Sequence, residues 1–188
     1  CDLSVEAERT SLYNWISENH ADTNVLVNNA GINLDSDTIG TNNSVETVSH
    51  KILKETFESN FFGVVSLTQK LLPLLVRSDS GRIVNVSSIM GSLALHSDKS
   101  SPIYGQKPFA YDVSKTALNQ FTVHLAAALQ NTNVKVNSAH PGWVKTDMGG
   151  ENAPLSVEEG AKTIVDLCLI DENGPTGGYI HKGEQLPW

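Results

Sequence analysis

The chain has 188 residues, 39% of them hydrophobic and 18% charged, which is enough for one packed domain and too short to expect two. A formal charge of -8 leaves no basic stripe to neutralise phosphates, so nucleic acid is excluded as a partner. Two cysteines, Cys1 and Cys168, make no disulfide framework and point to a reducing, cytoplasmic setting; no apolar run approaches the roughly 20 residues of a membrane span, so no membrane partner is expected.

Near the amino end, Ser4 can cap a helix whose positive first turn suits Glu6 and Glu8, and Leu12, Trp15 and Ile16 carry its apolar spacing as far as Asn19. Val25-Leu26-Val27 follows, a β-branched run of the kind buried on both faces of a parallel sheet, and it breaks into Asn28-Asn29-Ala30-Gly31. The polar residues 32 to 46 read as a surface loop. A long helix is predicted over about 48 to 76, with Ile52, Phe57, Phe61, Val64 and Leu71 inward and Pro73 kinking or ending it. Ile83-Val84-Asn85-Val86 is a second buried strand, which runs out into Ser87-Ser88; residues 91 to 109 read as a loop. Residues 111 to about 130 form the next amphipathic helix, with Leu118, Phe121, Leu125 and Leu129 facing in. A third strand begins at Val134 and ends at His140-Pro141-Gly142. Ser156 and Glu159 make a capping box for a helix to about 169, and residues 177 to 180 form a short fourth strand.

Alternating buried strands and helices imply an α/β fold, a Rossmann-like doubly wound parallel sheet with right-handed crossovers, in a single domain over 1 to 188. Ligands of such sheets bind outside the carboxyl ends of the strands. Asn28 to Gly31, Ser87-Ser88 and Pro141-Gly142 each follow a strand, so they gather on one rim. Tyr111 and Lys115, four apart on a helix, point the same way, and a cation beside a phenol favours phenolate and draws its pKa toward neutrality. Taken alone, this pair could equally be an exposed helix face. Ser88 could cap a turn and Asn60 could bond nearby backbone.

The ordered set Asn28-Asn29-Ala30-Gly31, Asn60-Phe61-Phe62-Gly63, Asn85-Val86-Ser87-Ser88, Tyr111 with Lys115, and Pro141-Gly142-Trp143-Val144-Lys145-Thr146-Asp147 resembles the short-chain dehydrogenase/reductase family, and within it the carbonyl reductases. The resemblance runs from Asp2 to Trp188. It implies a ketone or aldehyde substrate reduced with NADP(H), favoured over NAD(H), and it implies no metal. Tyr111 becomes the general acid, Lys115 lowers its pKa and holds the nicotinamide ribose, Ser88 polarises the substrate carbonyl, and Asn60 holds a water that links Lys115 to solvent. For the cofactor it implies Asp2 and the Leu3 backbone at the adenine, Asn29 and Ala30 along the ribose, Pro141 and Gly142 under the nicotinamide, and Val144 and Thr146 at the carboxamide or phosphates. Trp143, with Met148, lines the substrate side. Asn28 is expected to be structural, joining neighbouring strands.

Two departures qualify this pattern. The stretch between Ser88 and Tyr111 is longer than in most members, as in carbonyl reductases that are monomers, which favours a monomer here. The family's opening strand and glycine-rich turn, which cradle the pyrophosphate, are absent ahead of Cys1, as is the strand that selects NAD or NADP. The expectation is a part of a longer enzyme. The alternative is a truncated, non-catalytic fragment that associates through the sheet edge at Val25 to Val27.

Overall fold

The structure, a computed structural model, describes residues 1–20, 23–35 and 43–188. Part of the predicted 32 to 46 loop, residues 36–42, lies outside the described residues. Helix α1 (Glu6–Asn19) leads to strand β1 (Val25–Asn28). A continuous 28-residue helix, His50–Arg77, follows in three parts: α2 (His50–Phe57), a π-helical turn (Glu58–Phe62) and α3 (Gly63–Arg77). Then come β2 (Arg82–Val86), a 3-10 turn (Ile89–Gly91), α4 (Leu93–Ser97), α5 (Phe109–Ala128), β3 (Lys135–Ala139), α6 (Val157–Cys168), β4 (Tyr179–His181) and β5 (Glu184–Gln185). The sheet runs β1-β2-β3-β4-β5 in order, the first four strands parallel and β5 antiparallel.

Side chains alternate across a strand, and the register uses that period to build two cores. Leu26 lies opposite Ile83, and Ile83 opposite Val136; this row packs against Leu67, Leu71 and Leu75 of α3, Leu118 and Leu125 of α5, and Leu12 and Ile16 of α1. On the other face Val84, Ala139 and Ile180 meet Leu167, Ile164 and Cys168 around α6. His50–Arg77 is long and apolar enough to cross a membrane by length and composition, but its apolar stripe of Val64, Leu67, Leu71, Leu74 and Leu75 is buried in the first core.

At the carboxyl ends of the strands the first core turns polar. Asn28 Nδ2 donates to Thr68 Oγ1 (3.0 Å) and to Asn85 Oδ1 (2.8 Å), Asn85 Nδ2 donates to Thr122 Oγ1 (2.8 Å), and the Thr122 and Ser138 hydroxyls lie 2.8 Å apart. Every member is buried, so this chain of hydrogen bonds locks three strand ends to α3 and α5 at fixed register. Asn28 is thus the structural tie between strands that its position predicted.

Several expectations are corrected. Val25 (42% exposed) and Val27 (38%) are not buried on both faces, because the core under α6 stops short of β1. Ser4 does not cap α1; Val5 occupies that position without a side-chain bond, and the Ser4 hydroxyl donates to Asp2 Oδ1 instead. Trp15 faces outward against the His20 ring. Pro73 does not end its helix, which runs on to Arg77. The predicted 91 to 109 loop contains α4, capped by Ser92, and a fifth strand follows the fourth. The capping box of α6 is present as expected, Ser156 and Glu159 bonding each other's backbone N–H.

Gly63 follows the π turn, where α3 meets the amino-terminal segment. A Cβ there would sit 2.8 Å from both the Leu3 carbonyl carbon and Leu3 Cβ. Backbone cannot yield as a flexible side chain does, so Gly63→Ala is expected to cost about 1–3 kcal/mol by overpacking, visible as a lower urea midpoint with unchanged m-value.

Candidate active site

Helix α5 begins after Pro108, whose side chain cannot cap it. The missing bond comes from elsewhere: the Tyr111 N–H donates to Asp35 Oδ2 at 2.8 Å across 76 positions of sequence. One turn on, Lys115 is buried, its Nζ donating to the Val86 carbonyl at 2.8 Å and standing 5.6 Å from the Tyr111 ring centroid. Loss of hydration pulls Lys115 down to about 8. Tyr111 moves the other way, pushed up to about 12 by burial, opposed by the Ser88 hydroxyl and reinforced by the Asp112 charge. The expectation that Lys115 draws the phenol toward neutrality is therefore not met in this structure. The Lys115 ammonium gives one N–H to a carbonyl and is itself disfavoured by burial, so desolvation of the phenolate dominates.

The π turn sets Asn60 inside the fold. Its Nδ2 donates to the Ile32 carbonyl (2.8 Å) and to Ser114 Oγ (3.0 Å), while Oδ1 accepts the Ile32 N–H (2.8 Å). Ser114 passes the link on to the Tyr111 carbonyl at 2.7 Å. The amide is thus fully committed to joining the strand β1 turn to α5. A water held by Asn60 would rest on its backbone, where a π turn departs from the regular helical bonding. Gly31 stands where any Cβ would come within 3.3 Å of Lys115 Nζ and 3.5 Å of Asn60 Oδ1, so this turn must stay bare for Lys115 to reach the rim.

Ser88 ends the run-out of β2 and caps the 3-10 turn, its Oγ accepting the Met90 N–H at 3.3 Å. Its hydroxyl also faces the Tyr111 phenol. Ser87, the competing hydroxyl, is buried with no bonding partner among the described residues. The Ser88 carbonyl accepts from the Tyr179 hydroxyl, and the Tyr179 ring stacks on Trp188 with centroids 5.3 Å apart.

The turn after β3 completes the rim. Gly142 has φ +91°, a left-handed conformation that favours glycine, and a Cβ there would strike the Leu155 side chain. Val144 bridges Leu155, and its N–H meets no acceptor among the described residues. The exposed Thr146 hydroxyl accepts the Gly149 N–H at 3.1 Å. Trp143 and Met148 are exposed, and Trp143 Nε1 donates to the Gly149 carbonyl. At the far side of the rim, Asn29 and Ala30 are exposed after β1. Asp2 takes the Ser4 N–H and hydroxyl on Oδ1, and those bonds lower its pKa. The Leu3 carbonyl accepts from Arg9. Asp2 and Leu3 make no hydrogen bond to the Tyr111 group among the described residues, and Leu3 packs into the first core.

His140 is a residue that sequence reasoning missed. It is buried, and its Nδ1 accepts from the Ile89 N–H (3.2 Å) and the Gly142 N–H (3.4 Å), tying the Ser88 loop to the Pro141-Gly142 turn. Burial, then the neighbouring His181, pushes it down to about 3, so it stays a neutral acceptor. Its only signal in the sequence is its place at a strand end. A cavity of about 490 Å³ lies at the opposite end of the sheet, among Asp79, Arg82, Lys135 and Asp171, and contains none of these groups.

The family model described as short chain dehydrogenase matches residues 1–155. The chain belongs to the short-chain dehydrogenase family. Relatives of the family include a (+)-neomenthol dehydrogenase of Capsicum annuum, 31% identical, with 72% of this chain aligned to 53% of that protein. The chain thus spans about half the length of that relative. Carbonyl reductase 1 of Homo sapiens, named for NADPH, is 30% identical over 95% of this chain and 74% of its own. The solved carbonyl reductase Sniffer of D. melanogaster superposes with a TM-score of 0.84 at 30% identity, covering 100% of this chain and 76% of that one. Its fold agrees with the mostly parallel Rossmann-like sheet.

Proposed function

We propose that this short-chain dehydrogenase chain carries the acid/base machinery of an NADP(H)-dependent reduction of a ketone or aldehyde to an alcohol. The observation that carries the reading is the interlocked group at the strand ends: Ser88 on Tyr111, Tyr111 above Lys115, and Ser114 and Asn60 bracing the helix behind them. The nicotinamide supplies the hydride. Tyr111, held as the neutral phenol by burial, gives its proton to the carbonyl oxygen as the alkoxide forms, and that protonation state suits the reductive direction. The Ser88 hydroxyl donates to the same oxygen and stabilises its developing charge. Lys115 retains two N–H donors beyond the one used on Val86, which can bond ribose hydroxyls.

The residues present fit the cofactor. Gly31 brings a bare Cα close beside Lys115 Nζ and Asn60, Ala30 is small and exposed, the Val144 N–H is an unused donor among the described residues, and the Asp2 and Thr146 side chains are exposed to solvent. NADP(H) is favoured over NAD(H) by the relative named for NADPH. A small-molecule carbonyl substrate, a monomeric state and a cytoplasmic location complete the reading. The test is titration of full-length protein with NADPH and NADH, followed by nicotinamide oxidation against a panel of ketones and aldehydes. Failure to bind either dinucleotide would sink it.

A second reading, a non-catalytic module that associates through the free edge of β1, draws on the exposure of Val25 and Val27. It predicts concentration-dependent self-association that Val27→Lys abolishes, measured by sedimentation.

A further inference from the structure

Behind Tyr111 lies a group of titratable side chains, two of them buried carboxyls, that the proposed reaction does not use. Asp35 is fully buried and caps α5 through Oδ2 on the Tyr111 N–H. The next residue of the helix, Asp112, is also buried, with Oδ2 3.2 Å from His96 Nε2. Lys107 Nζ stands 2.9 Å from His96 Nδ1 and 3.0 Å from the His96 carbonyl. An ammonium only donates, so Nδ1 is an acceptor and the ring proton sits on Nε2, shared by the Met90 carbonyl (2.8 Å) and Asp112. Burial lowers the His96 pKa, in keeping with a neutral ring. Two oxygens remain without partners: Asp35 Oδ1 and Asp112 Oδ1 are both buried and bonded to nothing among the described residues.

An unpaired buried carboxylate oxygen is costly. We propose that Asp35 and Asp112 are positioning residues, Asp35 through its cap on the Tyr111 N–H and Asp112 as a buried carboxyl that keeps its proton beside His96, and that together they keep the first turn of α5, with Tyr111 in it, seated against the rim. The groups that face Asp112 are Asp35 from the segment after β1, His96 from α4, Lys107 from ahead of α5, and Tyr111 on its own helix. Burial first, then the Asp35 charge, push Asp112 up to about 8 against the pull of Lys107. Loss of the Asp112 proton leaves a buried negative charge in the turn that carries Tyr111, and that charge acts on the phenol directly. The activity arm of this proposal rests on the reading of Tyr111 as the proton donor; the stability arm does not.

The test is Asp112→Asn in the full-length protein, since an amide keeps the shape and never ionises. The folded carboxyl binds its proton more tightly than the unfolded one, so this group's contribution to stability is full below its unfolded pKa of about 4 and fades as pH rises through about 8. Thermal melts of the wild type should therefore fall over that window more steeply than those of D112N. In turnover, the midpoint of the basic limb of kcat/KM should move upward in D112N. Asp35→Ala should lower kcat/KM about five- to tenfold through loss of the cap, and Asp35→Asn, which can still accept the Tyr111 N–H, should restore most of it. Equal melting slopes in wild type and D112N overturn the protonated Asp112. A flattened slope in D112N with no turnover in any variant overturns the reaction instead and leaves the protonated Asp112 standing.

Discussion

Tyr111→Phe is expected to lower kcat by roughly 10²- to 10⁴-fold, the usual worth of a well-placed proton donor, with nicotinamide binding retained. The substitution keeps the ring, so the packing around α5 survives. The backbone bonds that hold this turn, from the Tyr111 N–H to Asp35 and from Ser114 to the Tyr111 carbonyl, do not involve the phenol. Only the hydroxyl is lost. Ser88→Ala is expected to cost about 10²- to 10³-fold, as removal of one oxyanion donor does. The two losses should not multiply, because both groups serve one oxygen and face each other. A phenol at about 12 is protonated throughout the neutral range, so a fall in activity toward alkaline pH near 8 belongs to Lys115 or Asp112 and not to Tyr111. The measurement is kcat/KM across pH for the wild type and the Tyr111→Phe variant, with cofactor binding followed by fluorescence. Full activity in that variant would remove the acid from this site.

The rim was legible in the sequence because an α/β pattern fixes where strand ends go. Once Val25, Ile83 and Val134 open apolar strand runs, Asn28 to Gly31, Ser88 and Pro141-Gly142 must share an edge. The apolar composition of the β1 run could not reveal what would cover it, and the α6 core stops at β2, leaving Val25 and Val27 in solvent. Local sequence also hid the π turn, since Glu58 to Phe62 reads as ordinary helix; the turn is visible only through the buried Asn60 and its bonds to Ile32 and Ser114. Asp35 and His140 act through partners far off in sequence, Tyr111 and Ile89, which no spacing rule links. The direction of the Tyr111 shift failed for a related reason. A neighbouring cation can be read from spacing, while the desolvation that outweighs it depends on the whole fold.

That desolvation makes Lys115 a stability cost that function explains. At 4% exposure the ammonium is disfavoured in the folded chain, and its pKa falls to about 8 from an unfolded value of about 10.4. A lysine shifted down destabilises the fold fully below its folded pKa, and the penalty fades as pH rises toward the unfolded value. The shift corresponds to about 3 kcal/mol at neutral pH, against which the bond to the Val86 carbonyl returns about 1 kcal/mol. Lys115→Met, of similar length and without charge, is thus expected to be more stable than the wild type by about 2 kcal/mol near neutrality, a gain of roughly 4–8 °C in Tm for a domain of this size. The same variant should lose turnover, since the ribose contact proposed for Lys115 goes with the ammonium. Melts at neutral pH and near pH 10 check the linkage: the advantage of Met should shrink at the higher pH, where folded Lys115 has shed its proton and the unfolded lysine begins to. A variant less stable than wild type at both pH values would mean that the buried ammonium is compensated by its surroundings, and that Lys115 is held in place by the fold at no cost to it.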